Sequence, residues 1–335
     1  MNHGLGWQRL ATTALPEADT SMNKSLTKVA AVFGAIALSV GVVSCTSNTE
    51  EPPAGSDGES SVDEIPTAGR DAAEAVEVNA DVEALVPQAL LDAGKIRIVT
   101  DPTYAPMDFT DENGDIVGLD SDIAIAAVNA MGLEIEWSTV TFDGILAGIE
   151  ADRYDATFSS FSVTDERLEA VDMVSYFSSG SAIMVASGNP SEIASESDLC
   201  GKSIAVQSGT TQALEILPAI DETCDEPIDL MIMPAQDNAN QALASGRADA
   251  VVADNALISY YAQLQPDAFE FIDGILLDPA PIGVAVPQKP EGETLTLAFE
   301  AAFQSIIDDG TYAKIFEAWE LQDSMLDAPA INSTE

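Results

Sequence analysis

Three short stretches combine charge-binding side chains with backbone able to present hydrogen-bond donors. In Ser159-Ser160-Phe161-Ser162-Val163-Thr164-Asp165-Glu166-Arg167, hydroxyls crowd the end of a strand at the start of a helix, and an arginine follows. Arginine holds a carboxylate through two parallel hydrogen bonds, and serine oxygens with helix-start N–H groups add to the grip. A plainer reading makes Thr164 an N-cap and Arg167 a surface residue, and on this stretch alone both stay open. Gln207-Ser208-Gly209-Thr210-Thr211-Gln212 is a glycine turn at a helix start. It suits an anion, although its glycine spacing is not that of a nucleotide loop. Asp101-Pro102-Thr103-Tyr104-Ala105-Pro106 follows a strand and offers a carboxylate and an aromatic face. Together the three describe a pocket for a small zwitterion. Arginine would take its carboxylate, aspartate its ammonium, and aromatic walls its side chain.

Composition removes most competing chemistries. The 335 residues carry 57 Asp and Glu against 12 Lys and Arg, a net charge of −45. Nucleic acid and anionic lipid surfaces need clustered positive charge, so neither is an expected partner. The single histidine is His3. Histidine bases and histidine metal ligands are therefore not expected, nor is a resident metal or cofactor. With 46% apolar residues the chain is too hydrophobic for global disorder. Its length suggests about two domains.

The elements that must position the pocket begin after a long leader. Lys24 and Lys28 precede an apolar run from Val29 to Ser44, which has the form of a secretory signal and is short for a membrane span. Met22 opens an ordinary signal by itself (MNKSLTK), so residues 1–21 carry no functional reading. Val42-Val43-Ser44-Cys45 resembles a lipobox, in which Cys45 would be lipidated and become the new N-terminus. The alternative is an uncleaved anchor with an incidental cysteine; either places the rest of the chain outside the cytoplasm. Cleavage before Cys45 removes Arg9, Lys24, Lys28, Glu17 and Asp19, leaving a net charge of −46 and no histidine. Ser/His/Asp and Cys/His catalysis are then excluded, and no catalytic residue is expected. Residues 45–80 follow as an acidic, disordered tether rich in Ser, Thr, Gly and Pro, reaching roughly 35 Å on average. Such acidity also suggests a salt-rich habitat, to be tested by whether folding stability rises with molar salt.

From Ala84 onward strand and helix patterns alternate. Strands are predicted at Lys95–Thr100, Ile135–Trp137, Thr157–Phe158, Ser203–Gln207, Ala250–Ala253, Gly274–Asp278 and Ile282–Val286. Helices are predicted at Asp120–Met131, Phe142–Ala151, from Ser208–Thr211 onward, Thr294–Asp308 and Tyr312–Leu321. Phe109-Thr110 and Ile116-Val117 read as two short strands joined at Asn113-Gly114. Asp111, Asn113 and Asp115 mimic half of a calcium loop, but Ile116 stands where such a loop needs glycine, so the turn is the stronger reading. Strands alternating with helices give an α/β fold with parallel sheet covered on both faces. Cys200 and Cys224 flank one strand–helix unit. In an oxidising compartment the pair invites a disulfide, the alternative being two buried thiols. The last residues, 325–335, read as a flexible tail.

IRIVTDPTYAPMDF, GDIVGLDSDIAIAAV, DATFSSFSVTDER, AVQSGTTQ, SGRADAVVADN and DDGTYAKIFEAW occur in that order between about Lys95 and Leu321. In these motifs the chain resembles the polar amino-acid solute-binding proteins of ABC importers, bacterial extracellular family 3, especially the histidine- and lysine/arginine/ornithine-binding members. The resemblance implies a two-lobed periplasmic-binding-protein fold (type II), with two crossover strands as hinge. Lobe 1 would take residues 88–178 and 283–324, and lobe 2 residues 179–282. It further implies that Tyr104 and Phe142 sandwich the ligand side chain. Ser160, Ser162, Arg167 and Thr211, with Ser159 in the same block, would surround the α-carboxylate and amino group. Asp254 would pair with the α-ammonium, and Asp101 would meet the far end of a basic side chain. Met107 and Leu119 replace aromatics common in the family. The implied role is capture of a basic or polar L-amino acid by a monomeric, lipid-anchored protein and its delivery to a permease with its ATPase. Two alternatives are a same-fold enzyme resembling cyclohexadienyl dehydratase and a sensor feeding a separate receptor.

Overall fold

The computed structural model describes residues 65–334, apart from the side chains of 290–293. The signal segment 1–44, Cys45 and the tether as far as residue 64 lie outside the described residues. The described chain opens with three short helices, α1 (Thr67–Glu74), α2 (Ala80–Glu83) and α3 (Gln88–Ala93). β1 (Lys95–Thr100) follows, then a small antiparallel sheet of β2 (Thr103–Tyr104), β3 (Asp108–Thr110) and β4 (Ile116–Val117). α4 (Leu119–Ala130), β5 (Glu134–Thr139), α5 (Phe142–Glu150), β6 (Ala156–Thr157) and the single turn α6 (Asp165–Leu168) complete a first α/β run. The long strand β7 (Val171–Ala186) leads into a second run. That run holds β8 (Ser203–Gln207), α7 (Leu217–Asp221), β9 (Asp229–Met233), α8 (Gln236–Ala244), β10 (Ala250–Asp254), α9 (Asn255–Leu264) and β11 (Phe269–Phe271). β12 (Leu277–Pro287) returns the chain, and α10 (Pro290–Asp308) and α11 (Thr311–Ala318) pack beside α4.

β1 lies parallel to β5 and β6, and β8 lies parallel to β9 and β10. Between these two parallel sets run β7 and β12, antiparallel to each other, giving the order β5-β1-β6-β12-β7-β10-β8-β9. Each parallel set with its helices forms one lobe, and β7 and β12 are the crossovers. The fold is therefore α/β and two-lobed. Residues 178, 179, 282 and 283 all fall within the crossover strands, and we retain the division expected from sequence as a proposal. Central strands are buried on both faces, which is why Ala250–Ala253 is apolar throughout rather than alternating. Gly118 turns the chain from β4 into α4 at φ 128°, where a Cβ would lie 2.2 Å from the Met107 carbonyl oxygen. No other residue fits there.

Four expectations change. Residues 65–80, expected as the end of the tether, instead form α1 and the entry to α2. α1 packs on α4 and α11, buries Gly69 and Ala73, and sends the Arg70 Nε to Asp122 Oδ1 at 2.7 Å. Its contacts depend on small residues and one ion pair, so no apolar stripe announces it. Of the two strands expected at Gly274–Asp278 and Ile282–Val286, Gly274 to Leu276 lie outside any strand, and the rest belong to one irregular strand, β12, whose pairing with β7 shifts between Leu277 and Ala280 and again between Ile282 and Gly283. Ser208–Thr211 leads into a π-helical turn, Gln212–Ile216, before α7 begins. The tail, expected to be flexible, lies along β7. Ser175 N donates to Ala330 O at 2.9 Å, Asn332 N donates to Met173 O at 2.8 Å, and Ile331 bridges Val174. Free backbone groups on that stretch of β7 give the tail partners. Cys200 and Cys224 form a disulfide across 24 residues, with Cα atoms 5.4 Å apart. Among the described residues no helix is long and apolar enough to cross a membrane.

Candidate functional site

Ligands of open α/β sheets bind beyond the carboxyl ends of the strands. Here β1 runs out into Asp101, β6 into Ser159–Ser162, β8 ends on Gln207 and β10 on Asp254. These ends face one another between the lobes. The cavity they enclose is small. Of the residues predicted from sequence, Tyr104, Phe142, Ser159, Ser160, Ser162, Arg167, Thr211 and Asp254 all line it. Gln207, Thr210 and Gln212 line it too, and were not singled out from sequence although their motif was. Asp101 is not part of the lining.

Arg167 is brought in by α6, whose N-cap Thr164 accepts from the Arg167 N–H at 3.3 Å. Its guanidinium lies 4.7 Å over the Phe161 ring and 5.7 Å over Phe142, themselves stacked at 4.2 Å. Nη1 donates to the Ser162 carbonyl at 2.9 Å, and Nη2 reaches Gly209 O of the other lobe at 3.2 Å. Among the described residues no carboxylate pairs with it. A guanidinium 8% exposed and in no ion pair is costly; burial pulls its pKa down to about 10, while the charges of Glu215, Asp254 and Glu166 act to raise it. Gly209 lies so near that a Cβ would meet the Asp143 Cα at 2.9 Å. Glycine therefore allows the lobes to close here.

Asp254 sits on the second-lobe wall. Gln212 Nε2 donates to its Oδ1 at 2.9 Å and to Ser181 Oγ at 2.8 Å, and the Asp254 N–H donates to Tyr104 Oη at 3.0 Å across the cleft. Burial raises the Asp254 pKa to about 6. A buried guanidinium and a buried carboxylate thus share one small cavity. That is the complement of an α-carboxylate and an α-ammonium.

Beneath the serines lie two further aspartates that nothing in the order of residues marks for burial. Asp108 Oδ2 accepts from Thr100 Oγ1 and from Ser159 Oγ at 2.8 Å. Asp120 Oδ2 accepts from Ser160 N at 2.7 Å and Ser160 Oγ at 2.9 Å, while Tyr176 Oη donates to Oδ1 at 2.7 Å. Burial lifts Asp108 well above the carboxylate range and Asp120 to about 7, each also feeling a neighbouring aspartate. Because Ser160 Oγ spends its proton on Asp120, its lone pairs are left for a donor in the cavity. Ser160 itself holds φ 50°, a left-handed backbone that the two bonds to Asp120 secure.

Asp101 is 3% exposed and fully engaged. Its Oδ2 accepts from Phe142 N at 2.9 Å and Gln207 Nε2 at 2.8 Å, and its Oδ1 accepts from Thr103 Oγ1 at 2.9 Å. Burial raises its pKa, and the Thr103 and Phe142 bonds pull it back. The direct role expected from sequence, meeting a basic side chain, is not its placement here: the carboxylate is spent joining β1, α5 and β8. Among the described residues no cluster of three or more His, Cys, Asp or Glu could hold a metal ion.

The sequence profile of the bacterial extracellular solute-binding proteins, family 3, matches residues 96–322. The chain belongs to this family. It is 30% identical over 310 residues to the arginine-binding protein ArgT of Corynebacterium glutamicum, covering 91% of this chain and 95% of that protein. An ancestral arginine-binding protein bound to arginine superposes with a TM-score of 0.63 at 33% identity, over 68% of this family member and 98% of that chain. The ancestral amino-acid-binding protein AncCDT-1, a precursor of cyclohexadienyl dehydratase, superposes with a TM-score of 0.61 at 29% identity, over 70% and 99% of the two chains. These three relatives are described as binding proteins, and the first two as binding arginine.

Proposed function

We propose that this family member captures an L-amino acid with a cationic side chain between its lobes and hands it to the permease of an ABC importer. It works outside the cytoplasm, as the family does; we propose that it does so as a monomer held to the membrane by a lipid on Cys45. The observation that carries the reading is Arg167, buried without a carboxylate, facing the cavity that Asp254 closes from the other lobe. An α-carboxylate supplies the missing anion and an α-ammonium the missing cation. Ser160, Ser162 and Thr211 add hydrogen bonds, and Tyr104 and Phe142 supply apolar wall. The arginine-binding relatives favour a cationic side chain.

Calorimetric titration of the purified protein against the twenty amino acids tests this. Arginine or lysine is expected among the tightest ligands; the reading fails if no amino acid binds tighter than about millimolar, roughly −4 kcal/mol. A second reading, turnover on the same scaffold, draws on the similarity to AncCDT-1 and on Asp254, a buried acid with a pKa of about 6. We read Asp254 as an ammonium partner. Dehydration of prephenate or arogenate by the purified protein would overturn that.

A further inference from the structure

We infer that Gln207 reads the far end of the ligand side chain, and that Asp101 acts through it as a positioning residue. The inference rests on the amino-acid-binding reading above and adds what selects among amino acids. Gln207 lines the cavity, is 1% exposed, and its Oε1 accepts no hydrogen bond among the described residues. Its amide cannot turn freely. Nε2 donates to Asp101 Oδ2 at 2.8 Å, and a carboxylate that also receives the Phe142 N–H and the Thr103 hydroxyl has only acceptors to offer. The amide nitrogen therefore stays on Asp101 and the carbonyl oxygen is the group left unpaired. A buried acceptor without a partner is unfavourable, and a ligand group that donates to it removes the penalty.

The side chains satisfied by such an acceptor are those ending in N–H: guanidinium, ammonium, ureido or amide. Side chains ending in a carboxylate would set oxygen against oxygen, with the Asp101 charge behind. Side chains without a donor, such as that of methionine, would leave Oε1 unpaired. Asp101 also sets the order among donors. Its charge, one amide away, favours a guanidinium over the uncharged ureido group of the same shape.

The test compares arginine, citrulline, methionine and glutamate on the full-length protein by calorimetry. Wild type is expected to rank arginine above citrulline, citrulline above methionine, and glutamate last. Gln207→Leu is expected to lower the arginine-to-methionine affinity ratio by about tenfold or more, with citrulline falling alongside arginine. Gln207→Met serves as a second variant should leucine perturb folding. Asp101→Asn keeps an oxygen for the Phe142 N–H while removing the charge, so it is expected to narrow the arginine-to-citrulline ratio and spare citrulline against methionine. A merely structural role would weaken all four ligands together and leave the ratios unmoved. If wild type binds no amino acid, the underlying function fails. If it binds arginine but the ratios stay put in the Gln207 variants, or glutamate ranks with arginine, this inference alone is overturned.

Discussion

The two ends of the cavity are built on opposite plans. At one end Arg167 and Asp254 present full charges of opposite sign, from different lobes, with Ser160 and Gln212 fixing their surroundings. Elsewhere in the lining Gln207 carries a neutral carbonyl oxygen, Oε1, that accepts no hydrogen bond among the described residues, and the nearby charge of Asp101 is held in hydrogen bonds. On the reading proposed above, the first group complements what every α-amino acid carries, and Gln207 what distinguishes one from another.

The sharpest way to break that division is Arg167→Ala. It is expected to cost about 2–4 kcal/mol of binding for every amino acid alike, since it unpairs the ligand carboxylate in a buried site. Titration of arginine and methionine against the variant checks it; a loss confined to arginine would show that Arg167 reads the side chain. Replacing Cys200 and Cys224 together by serine should lower folding stability by about 3 kcal/mol, because it reopens a loop of 24 residues in the unfolded-state constraint. Neither cysteine lines the cavity, so the ranking of ligands is expected to stay the same in urea-free titrations, while the denaturation midpoint falls.

A smaller effect comes from pH. Asp254, with a pKa of about 6, must be ionised to hold an ammonium. Below that value ligand has to displace a proton, so affinity is expected to fall by up to about tenfold per pH unit as pH drops from 6, and to level off above 7. Asp254→Asn should flatten the profile. Stability of the ligand-free protein runs the other way. With Asp120 raised to about 7 and Asp254 to about 6, the folded state binds more protons than the unfolded one between about pH 4 and 7, and stability declines across that window. Denaturation at pH 5 and pH 7.5 checks the sign. Last, Arg70→Ala should remove about 1–2 kcal/mol of stability by leaving the buried Asp122 to Trp319 alone, without touching either end of the cavity.

The same contrast explains what could be read from the residues in order. The part of the lining proposed to take the α-groups draws most of its members from two contiguous stretches, Ser159–Arg167 and Thr210–Gln212, so the types and their spacing reveal it. The far end depends on one bond between residues 106 apart. Asp101 looked like a ligand partner because nothing near it in sequence reveals that Gln207 and Phe142 N–H reach it first. The α/β alternation was legible because strand patterns, alternating in β1 and β5 and nearly continuous in β10, take turns with helical ones along both lobes. α1 was not, since Gly69 and Ala73 dock by closeness and Arg70 by charge. Asp108 and Asp120 resembled any other acid in so acidic a chain; hydroxyls from Thr100, Ser159, Ser160 and Tyr176 make their burial tolerable.

The most direct test of amino-acid capture between Arg167 and Asp254 compares arginine with agmatine, which lacks only the carboxylate. Wild type is expected to bind agmatine at least about 100-fold more weakly, roughly 2.7 kcal/mol, and Arg167→Ala to erase most of that difference. Equal affinity of wild type for the two, or a difference that survives Arg167→Ala, would contradict it.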